Sequence, residues 1–224
     1  MANDDLKGLF IKEVQAASRS RFAGAVFADM VRAMAISLEA PLVSGERRAE
    51  LEEEYAQIKG RYTEDEFVHF PVAFALVSMA LEKHREDFLG HALESLGASN
   101  TRNGQFLTPV TVAQLMSRMI CSKPADYAPG QIVKISDDCC GTSVLLIAGA
   151  EELVRSGVRQ ADVLVVAGDI DGRACDCSYI QLSLLGYASV VRHEDALASK
   201  RYSPDRYTPG WYLHNMPMRG VRVA

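Results

Sequence analysis

The chain has 224 residues, of which 48% are hydrophobic and 24% are charged, and its formal net charge at pH 7 is −5. These values are typical of a folded globular protein and exclude a disordered or fibrous chain. No window reaches the roughly 18 apolar residues that a membrane span needs, and the start of the chain lacks a basic flank followed by an apolar run, so we expect a cytoplasmic protein.

The first hundred residues predict helices. Apolar residues follow helical spacing from Leu6 to Leu38, and Pro41 ends that run. A mostly charged helix is expected over residues 47–58. Thr63 and Glu66 predict a capping box ahead of an apolar stretch at 67–81, where Pro71 implies either a later helix start or a kink. We therefore predict a helical region over residues 1–103.

The second half predicts strands that alternate with helices. A short helix at 87–94 precedes a turn, after which Thr108 and Pro109 are expected to open a helix at 110–120. Strands are predicted at 131–136, 163–167 and 189–192, with helices at 143–156 and 174–185 between them. This βαβαβ order is half of a doubly wound sheet. The apolar residues 211–213 predict a fourth strand, and residues 104–224 form the predicted α/β domain.

The five cysteines indicate a reducing compartment. They are an odd number and lie at positions 121, 139, 140, 175 and 177, which does not suit a secreted disulfide framework. Adjacent and one-apart cysteines also lack the usual spacing of zinc ligands, and no histidine stands at ligand spacing nearby. We predict no metal site.

Acidic residues and one glycine follow the predicted strands. Ligands of doubly wound sheets bind at the carboxyl ends of the strands, and Gly141 in the first turn would allow a close backbone approach. Asp137 beside that turn suits a cationic group, and Asp169 after the second strand can accept both hydroxyl hydrogens of a ribose. Each acid alone is equally typical of a turn or a helix cap, but acids after three successive strands favour a site.

Two motifs in this order resemble those of adenine-N6 DNA methyltransferases of the type I restriction-modification kind. G-Q-F-L-T-P at 104–109 resembles the segment that opens their cofactor site, and D-D-C-C-G-T-S at 137–143 resembles their D-P-x-C-G-[TS]-G loop, which holds S-adenosylmethionine. D-I-D at 169–171 resembles G-x-E-I-D, and H-E-D-A-L at 193–197 resembles G-D-x-L. The resemblance covers roughly residues 86–197 and departs from the family at Asp138, Ser143 and Val144.

The resemblance implies a Rossmann-like methyltransferase sheet that binds S-adenosylmethionine, with Asp195 accepting from the adenine amino group of the cofactor. The cofactor-binding residues that it implies are Phe106, Thr108, Pro109, Asp137, Cys140, Gly141, Asp169, Asp171 and Asp195.

Catalysis in the family uses an [ND]-P-P-[FYW] tetrapeptide, whose aromatic ring stacks on the flipped target base. Asn215-Met216-Pro217-Met218 stands at about the corresponding place, so the resemblance implies Asn215 and Pro217 as catalytic residues. The hypothesis is a DNA adenine-N6 methyltransferase or a methylase-like protein. The alternatives are a non-catalytic relative that acts as a regulator or anti-restriction factor, and one part of a split methyltransferase.

The expected partner is duplex DNA that contains adenine. Acidic residues gather at 46–54 and 64–66, whereas cations are frequent from Arg192 onwards, so the C-terminal end either contacts phosphate or is a solvated tail. An unpaired sheet edge would also suit a partner protein or a second copy of the chain. The cations concerned are Lys200, Arg201, Arg206, Arg219 and Arg222.

Overall fold

The computed structural model describes residues 3–19, 21–97, 108–121, 127 and 130–214. The chain divides into two compact units, Met1–Phe106 and Leu107–Ala224. In the described parts of the chain, the first unit is helical, and the second contains a sheet of five strands together with helices. The predicted fold class, a helical region followed by an α/β methyltransferase-like sheet, is confirmed. Within the described ranges, no helix is both long enough and apolar enough to cross a membrane.

The apolar run from Leu6 to Leu38 is divided between two helices, because the chain turns at Arg21, whose amide N–H donates to Ser18 O. Pro41 lies in a short 3-10 turn, Ala40–Leu42, that ends the second helix. The helices of this unit are α1 (Asn3–Ser18), α2 (Ala23–Glu39), α3 (Gly45–Lys59), α4 (Glu64–Phe67), α5 (His69–Lys83) and α6 (Phe88–Ser95).

Aromatic side chains join three of these helices. Phe10 of α1 makes edge contacts with Phe27 of α2 and Phe88 of α6, at ring-centroid distances of 6.1 and 5.7 Å. All three side chains are buried. Full burial of a phenylalanine contributes about 1.5–3 kcal/mol, so these rings are a main source of stability for the helical unit.

The predicted capping box is confirmed. Thr63 Oγ1 accepts from the Glu66 amide at 3.3 Å, and Glu66 Oε2 accepts from the Thr63 amide at 2.9 Å. The box caps α4, which ends after one turn at Phe67, and α5 begins at His69. Pro71 therefore lies in the first turn of α5, where its missing N–H is not needed. Of the two alternatives, the later helix start is correct.

The second unit has the expected alternation of strands and helices. Strands β1, β2 and β3 are parallel and adjacent in that order, and β4 and β5 both pair antiparallel with β3. Its elements are α7 (Val110–Cys121), β1 (Val133–Asp137), α8 (Val144–Arg155), β2 (Val163–Asp169), α9 (Gly172–Leu184), β3 (Ala188–Asp195), β4 (Lys200–Arg201), β5 (Arg206–Tyr207) and α10 (Pro209–Leu213).

The prediction of a fourth strand at residues 211–213 was wrong, because these residues end the short helix α10. Pro209 stands in its first turn, where a fixed φ favours a helix start. Trp211 is buried against one face of the sheet, in a cluster with Leu164, Val166, Ala188 and Val190. The last described helix therefore covers the sheet and does not extend it.

Gly210 allows α10 to approach β3 closely, and we expect Gly210→Ala to destabilise the protein by about 1–3 kcal/mol, the usual cost of overpacking. A Cβ at this position would lie 2.5 Å from Tyr187 O, so the backbone must move. Urea denaturation measures the loss. Gly8→Ala in α1 is the matched control, since its Cβ would meet nothing within 4 Å. Equal stability of both variants would contradict the expectation.

Candidate functional site

Each of the three parallel strands ends in an acidic residue. The last residue of β1 is Asp137, that of β2 is Asp169, and that of β3 is Asp195. Parallel strands bring their carboxyl ends to one edge of the sheet, which is where α/β folds bind ligands. The register pairs Asp169 with His193, so Asp195 lies two residues farther along its strand.

The loop after β1 is fixed onto the end of β2 by two backbone donors. The Cys140 amide N–H donates to Gly168 O at 2.9 Å, and the Gly141 amide N–H donates to Asp169 Oδ2 at 2.8 Å. Gly141 has a φ of 55°, in the left-handed region that glycine adopts without steric cost. Gly141 and Asp169, both of which the sequence assigned to the cofactor site, are therefore in direct contact.

Both oxygens of Asp169 are engaged. Oδ1 accepts from the Asp171 amide at 2.8 Å, so one carboxylate ties the loop after β1 to the loop after β2. The side chain is buried, at 7% exposure, and it is held in one orientation by these donors. An ionised carboxylate offers about four acceptor positions, so Asp169 keeps acceptor capacity beyond its two backbone partners.

Asp137 stabilises the start of the same loop. Its Oδ1 accepts from the Cys139 amide at 3.0 Å, and Asp138 between them is exposed. Neither carboxylate has a basic partner among the ion pairs of the described residues. The edge beside β1 therefore suits a positively charged group.

Two buried polar side chains of helix α9, Ser178 and Gln181, hold the loop after β1 in place. Neither residue was predicted from the sequence to contribute to the site. Ser143 Oγ donates to Ser178 Oγ at 2.8 Å, and Ser178 Oγ donates to Gly141 O at 2.9 Å. Gln181 Nε2 donates to Thr142 O at 2.9 Å. Buried polar side chains need hydrogen-bond partners. Polar residues within a largely apolar helix were therefore the sequence feature that could have indicated these contacts.

Two of the predicted acids have structural roles. Asp171 caps α9, since its Oδ1 accepts from the Arg173 amide at 2.9 Å, and its Oδ2 pairs with Arg173 Nη2 at 2.9 Å. Asp195 Oδ1 accepts from the Ala198 amide at 3.0 Å in the turn between β3 and β4. Its role toward an adenine amino group stays a prediction.

Two further residues at these strand ends were not singled out from the sequence. Ile170 directly follows Asp169 and is 58% exposed, so it presents an apolar side chain at this strand end. Glu194 pairs with Arg201 Nε at 3.2 Å, and its Oε1 lies 2.9 Å from where a Cβ on Gly168 would stand. A carboxylate and an apolar surface therefore flank Asp169.

The thiols near this loop are held protonated. Burial raises the pKa of Cys140 to about 12, and burial together with nearby acids raises the pKa of Cys175. Cys139 is exposed, and slight burial followed by the charge of Asp169 raises its pKa as well. Within the described residues no group of three or more potential ligands is placed to hold a metal ion.

The cations after Arg192 are mostly bound to acids of the same unit. Arg206 Nη1 donates to Asp176 Oδ1 at 2.6 Å, and Arg192 Nε lies 3.4 Å from Asp205 Oδ2. Arg201 pairs with both Glu194 and Asp205. The described arginines of this segment therefore act within the fold, whereas Arg219 and Arg222 lie outside the described residues.

Thr108 and Pro109 lead into α7, as expected, and Pro109 O accepts from the Val112 and Ala113 amides. Among the described residues, a hydrogen-bonded network joins Gly141, Asp169 and Asp171, and Asp137 bonds to Cys139 in the same loop. Thr108, Pro109 and Asp195 lie outside this network. Phe106 lies outside the described residues.

Asn215 and Pro217 also lie outside the described residues. His214, which directly precedes them, has its Nε2 at 3.2 Å from Gly186 O. Gly186 stands just before β3, so His214 is at the amino end of that strand and Asp169 is at the opposite end of the sheet.

A family model described as N-6 DNA Methylase matches residues 84–208, which is more than half of the chain. The match contains the strands, helices and acidic residues of the site. No curated protein and no solved structure matches the chain.

Proposed function

We propose that the chain, which belongs to the N-6 DNA methylase family, binds S-adenosylmethionine at the carboxyl ends of β1, β2 and β3 and acts toward adenine in DNA. Members of the family generally depend on this cofactor. The observation that carries the proposal is the hydrogen bond between Gly141 and Asp169, since it assembles the two motifs into one site. When bound, the cofactor supplies an activated methyl group.

The residues present fit this group. Ser143 replaces a family glycine, but its side chain is fully buried and bonds to Ser178 beneath the loop, so it takes no space from a ligand above it. Val144 is buried likewise, and Asp138 is exposed. Ser143 and Val144, two of the three departures from the family loop, therefore have buried side chains that do not project from its exposed side.

Three parts of the cofactor have matching groups. Asp169 has acceptor capacity left for the ribose hydroxyls, and exposed Ile170 next to it offers an apolar surface for the adenine ring. Asp137 and Asp138 provide negative charge for the methionine ammonium group. Asp195 would accept from the adenine amino group.

The direct test is a thermal-shift titration of the full chain with S-adenosylmethionine. A ligand that binds only the folded state adds about 2.7 kcal/mol of stability at a hundredfold excess over its Kd. NAD is the control, because carboxylates at three strand ends disfavour a pyrophosphate. A melting temperature unmoved by millimolar S-adenosylmethionine, or moved equally by NAD, would refute the proposed ligand.

Alkylation of Cys139 gives a second readout. We expect iodoacetamide to label Cys139 first, slowly at pH 7 and faster as pH rises, because the thiolate reacts and the pKa of this thiol is raised. S-adenosylmethionine should slow this labelling, since Cys139 stands in the loop that would bind it. Peptide mass spectrometry measures the rate, and buried Cys177 is the internal control. An unchanged rate at saturating cofactor would place the ligand elsewhere.

A non-catalytic, cofactor-binding relative is the second candidate. The position of His214 favours it, because this residue, which directly precedes Asn215 in the sequence, lies at the amino end of β3, whereas Asp169 lies at the opposite end of the sheet. A binding role that uses the cofactor as an effector would need Asp169 and the loop but not Asn215. An assay of methyl transfer to adenine distinguishes the two candidates, because only the enzyme would form N6-methyladenine.

A further inference from the structure

The hydroxyl group of Ser178 on α9 contacts three residues of the loop after β1. Its oxygen donates to Gly141 O at 2.9 Å, accepts from Ser143 Oγ at 2.8 Å, and lies 3.7 Å from Cys140 Sγ. A hydroxyl has a single hydrogen to donate, and Ser178 gives it to Gly141. Because the Ser178 side chain is fully buried, bulk water does not compete for these hydrogen bonds.

Gly141 is held at both of its backbone polar groups. Its amide N–H donates to Asp169 Oδ2 at 2.8 Å, and its carbonyl oxygen accepts from Ser178. The two bonds belong to one residue, so a shift of the carbonyl side also moves the N–H that holds the Asp169 carboxylate. Ser178 is thereby connected to Asp169 through Gly141, although the two side chains belong to different elements.

Ser143 depends on Ser178 as well. It has a φ of 75°, in the left-handed region where a residue with a side chain is strained. Such conformations persist where surrounding contacts fix them. Ser143 directly precedes α8, but its side chain makes no capping bond to that helix, and its hydroxyl bonds to Ser178. Where the loop of the family has a glycine, this chain has a serine that a second serine holds.

We propose that Ser178 is a positioning residue for the cofactor, an inference that rests on the proposed function. Ser178 acts through Gly141, which it fixes so that the Asp169 carboxylate faces the ribose hydroxyls. Groups that orient metal ligands from behind contribute about 10- to 100-fold to metal affinity. Binding groups held by hydrogen-bonded supports follow the same geometry, so we expect Ser178 to contribute about tenfold to the affinity for S-adenosylmethionine.

Calorimetric titration of the Ser178→Ala protein with S-adenosylmethionine tests the proposal. The Kd should be about tenfold higher than in the parent, because Gly141 O and Ser143 Oγ lose their common partner. Ser178→Cys, which keeps a weak donor, should give an intermediate Kd. Ser189→Ala is the matched control, since Ser189 is fully buried and its Oγ donates to Tyr187 O at 3.3 Å near the amino end of β3. The control should keep the Kd of the parent.

Hydrogen exchange of the free protein separates positioning from a general loss of stability. The Gly141 amide should exchange roughly tenfold faster in Ser178→Ala, because the local opening that breaks its bond to Asp169 becomes easier. In Ser189→Ala this amide should keep the rate of the parent. An unchanged Kd for Ser178→Ala, or equal exchange of the Gly141 amide in both variants, would overturn the proposal. A parent that binds no cofactor would refute the proposed function, and the exchange of Gly141 would still decide whether Ser178 positions the loop.

Discussion

Asp169→Asn is expected to weaken S-adenosylmethionine binding at least tenfold and to lower the free energy of unfolding by about 1–3 kcal/mol. The amide keeps one acceptor oxygen, but its NH₂ must face the amide N–H of either Gly141 or Asp171, both of which now donate to the carboxylate. One buried donor then loses its partner. The charged acceptor for the ribose is lost as well, and 1.4 kcal/mol corresponds to a factor of ten in affinity.

The measurement is calorimetric titration with cofactor, beside urea denaturation of the free protein. Asp162→Asn is the matched control, since Asp162 is a buried acid paired with Arg159 at 2.6 Å just before the amino end of β2. We expect the control to lose stability but keep its affinity. An Asp169→Asn protein that binds cofactor as tightly as the parent would remove Asp169 from the site.

Methyl transfer to adenine by the purified chain is expected to be at least about a hundredfold slower than in an enzyme that has the [ND]-P-P-[FYW] tetrapeptide, even with cofactor bound. The target base must be flipped, stacked and hydrogen-bonded, and a misplacement of about 1 Å can cost a hundredfold in rate. Met218 stands where the family has the stacking ring. Two residues that precede Met218 in the sequence have fixed positions. Trp211 packs against β3, and His214 contacts Gly186 O at the amino end of β3.

Transfer of a radiolabelled methyl group to duplex DNA that contains adenine measures this rate. Asn215→Ala is the informative variant. Robust N6-methyladenine formation that this variant abolishes would establish an enzyme and refute the expectation. Activity that appears only after a second protein is added would identify a split methyltransferase.

The sequence predicted the sheet well where local chemistry decides the structure. β2 is a continuous apolar run bounded by polar residues, and Thr63 with Glu66 carries its own capping signal. The positions of the acids at the strand ends could also be predicted, because a buried strand ends where its run of apolar residues ends. Asp137 and Asp169 were therefore placed at the correct edge of the sheet.

Contacts between separate elements decided what could not be predicted. The strand β3 extends to Asp195 because it forms a short hairpin with β4, in which Glu194 pairs with Arg201 and Asp195 with Lys200. Trp211 was assigned to a strand because three apolar residues suit either structure. Ser178 and Gln181 suggest buried partners by their polarity, but the identity of those partners, Gly141 O and Thr142 O, follows only from the packing of α9 against the loop.

Asp169 stabilises the fold in addition to its proposed role in cofactor binding, so its conservation alone would not demonstrate cofactor binding. Because its carboxylate joins two loops, selection for a folded chain alone would keep it, even in a lineage that had given up the cofactor. Asp195 makes its described hydrogen bond within a turn at the surface, so loss of ligand binding would free that position to drift. Among related sequences, a variable residue at position 195 together with an invariant Asp169 would therefore indicate proteins that keep the methylase fold but no longer bind the cofactor.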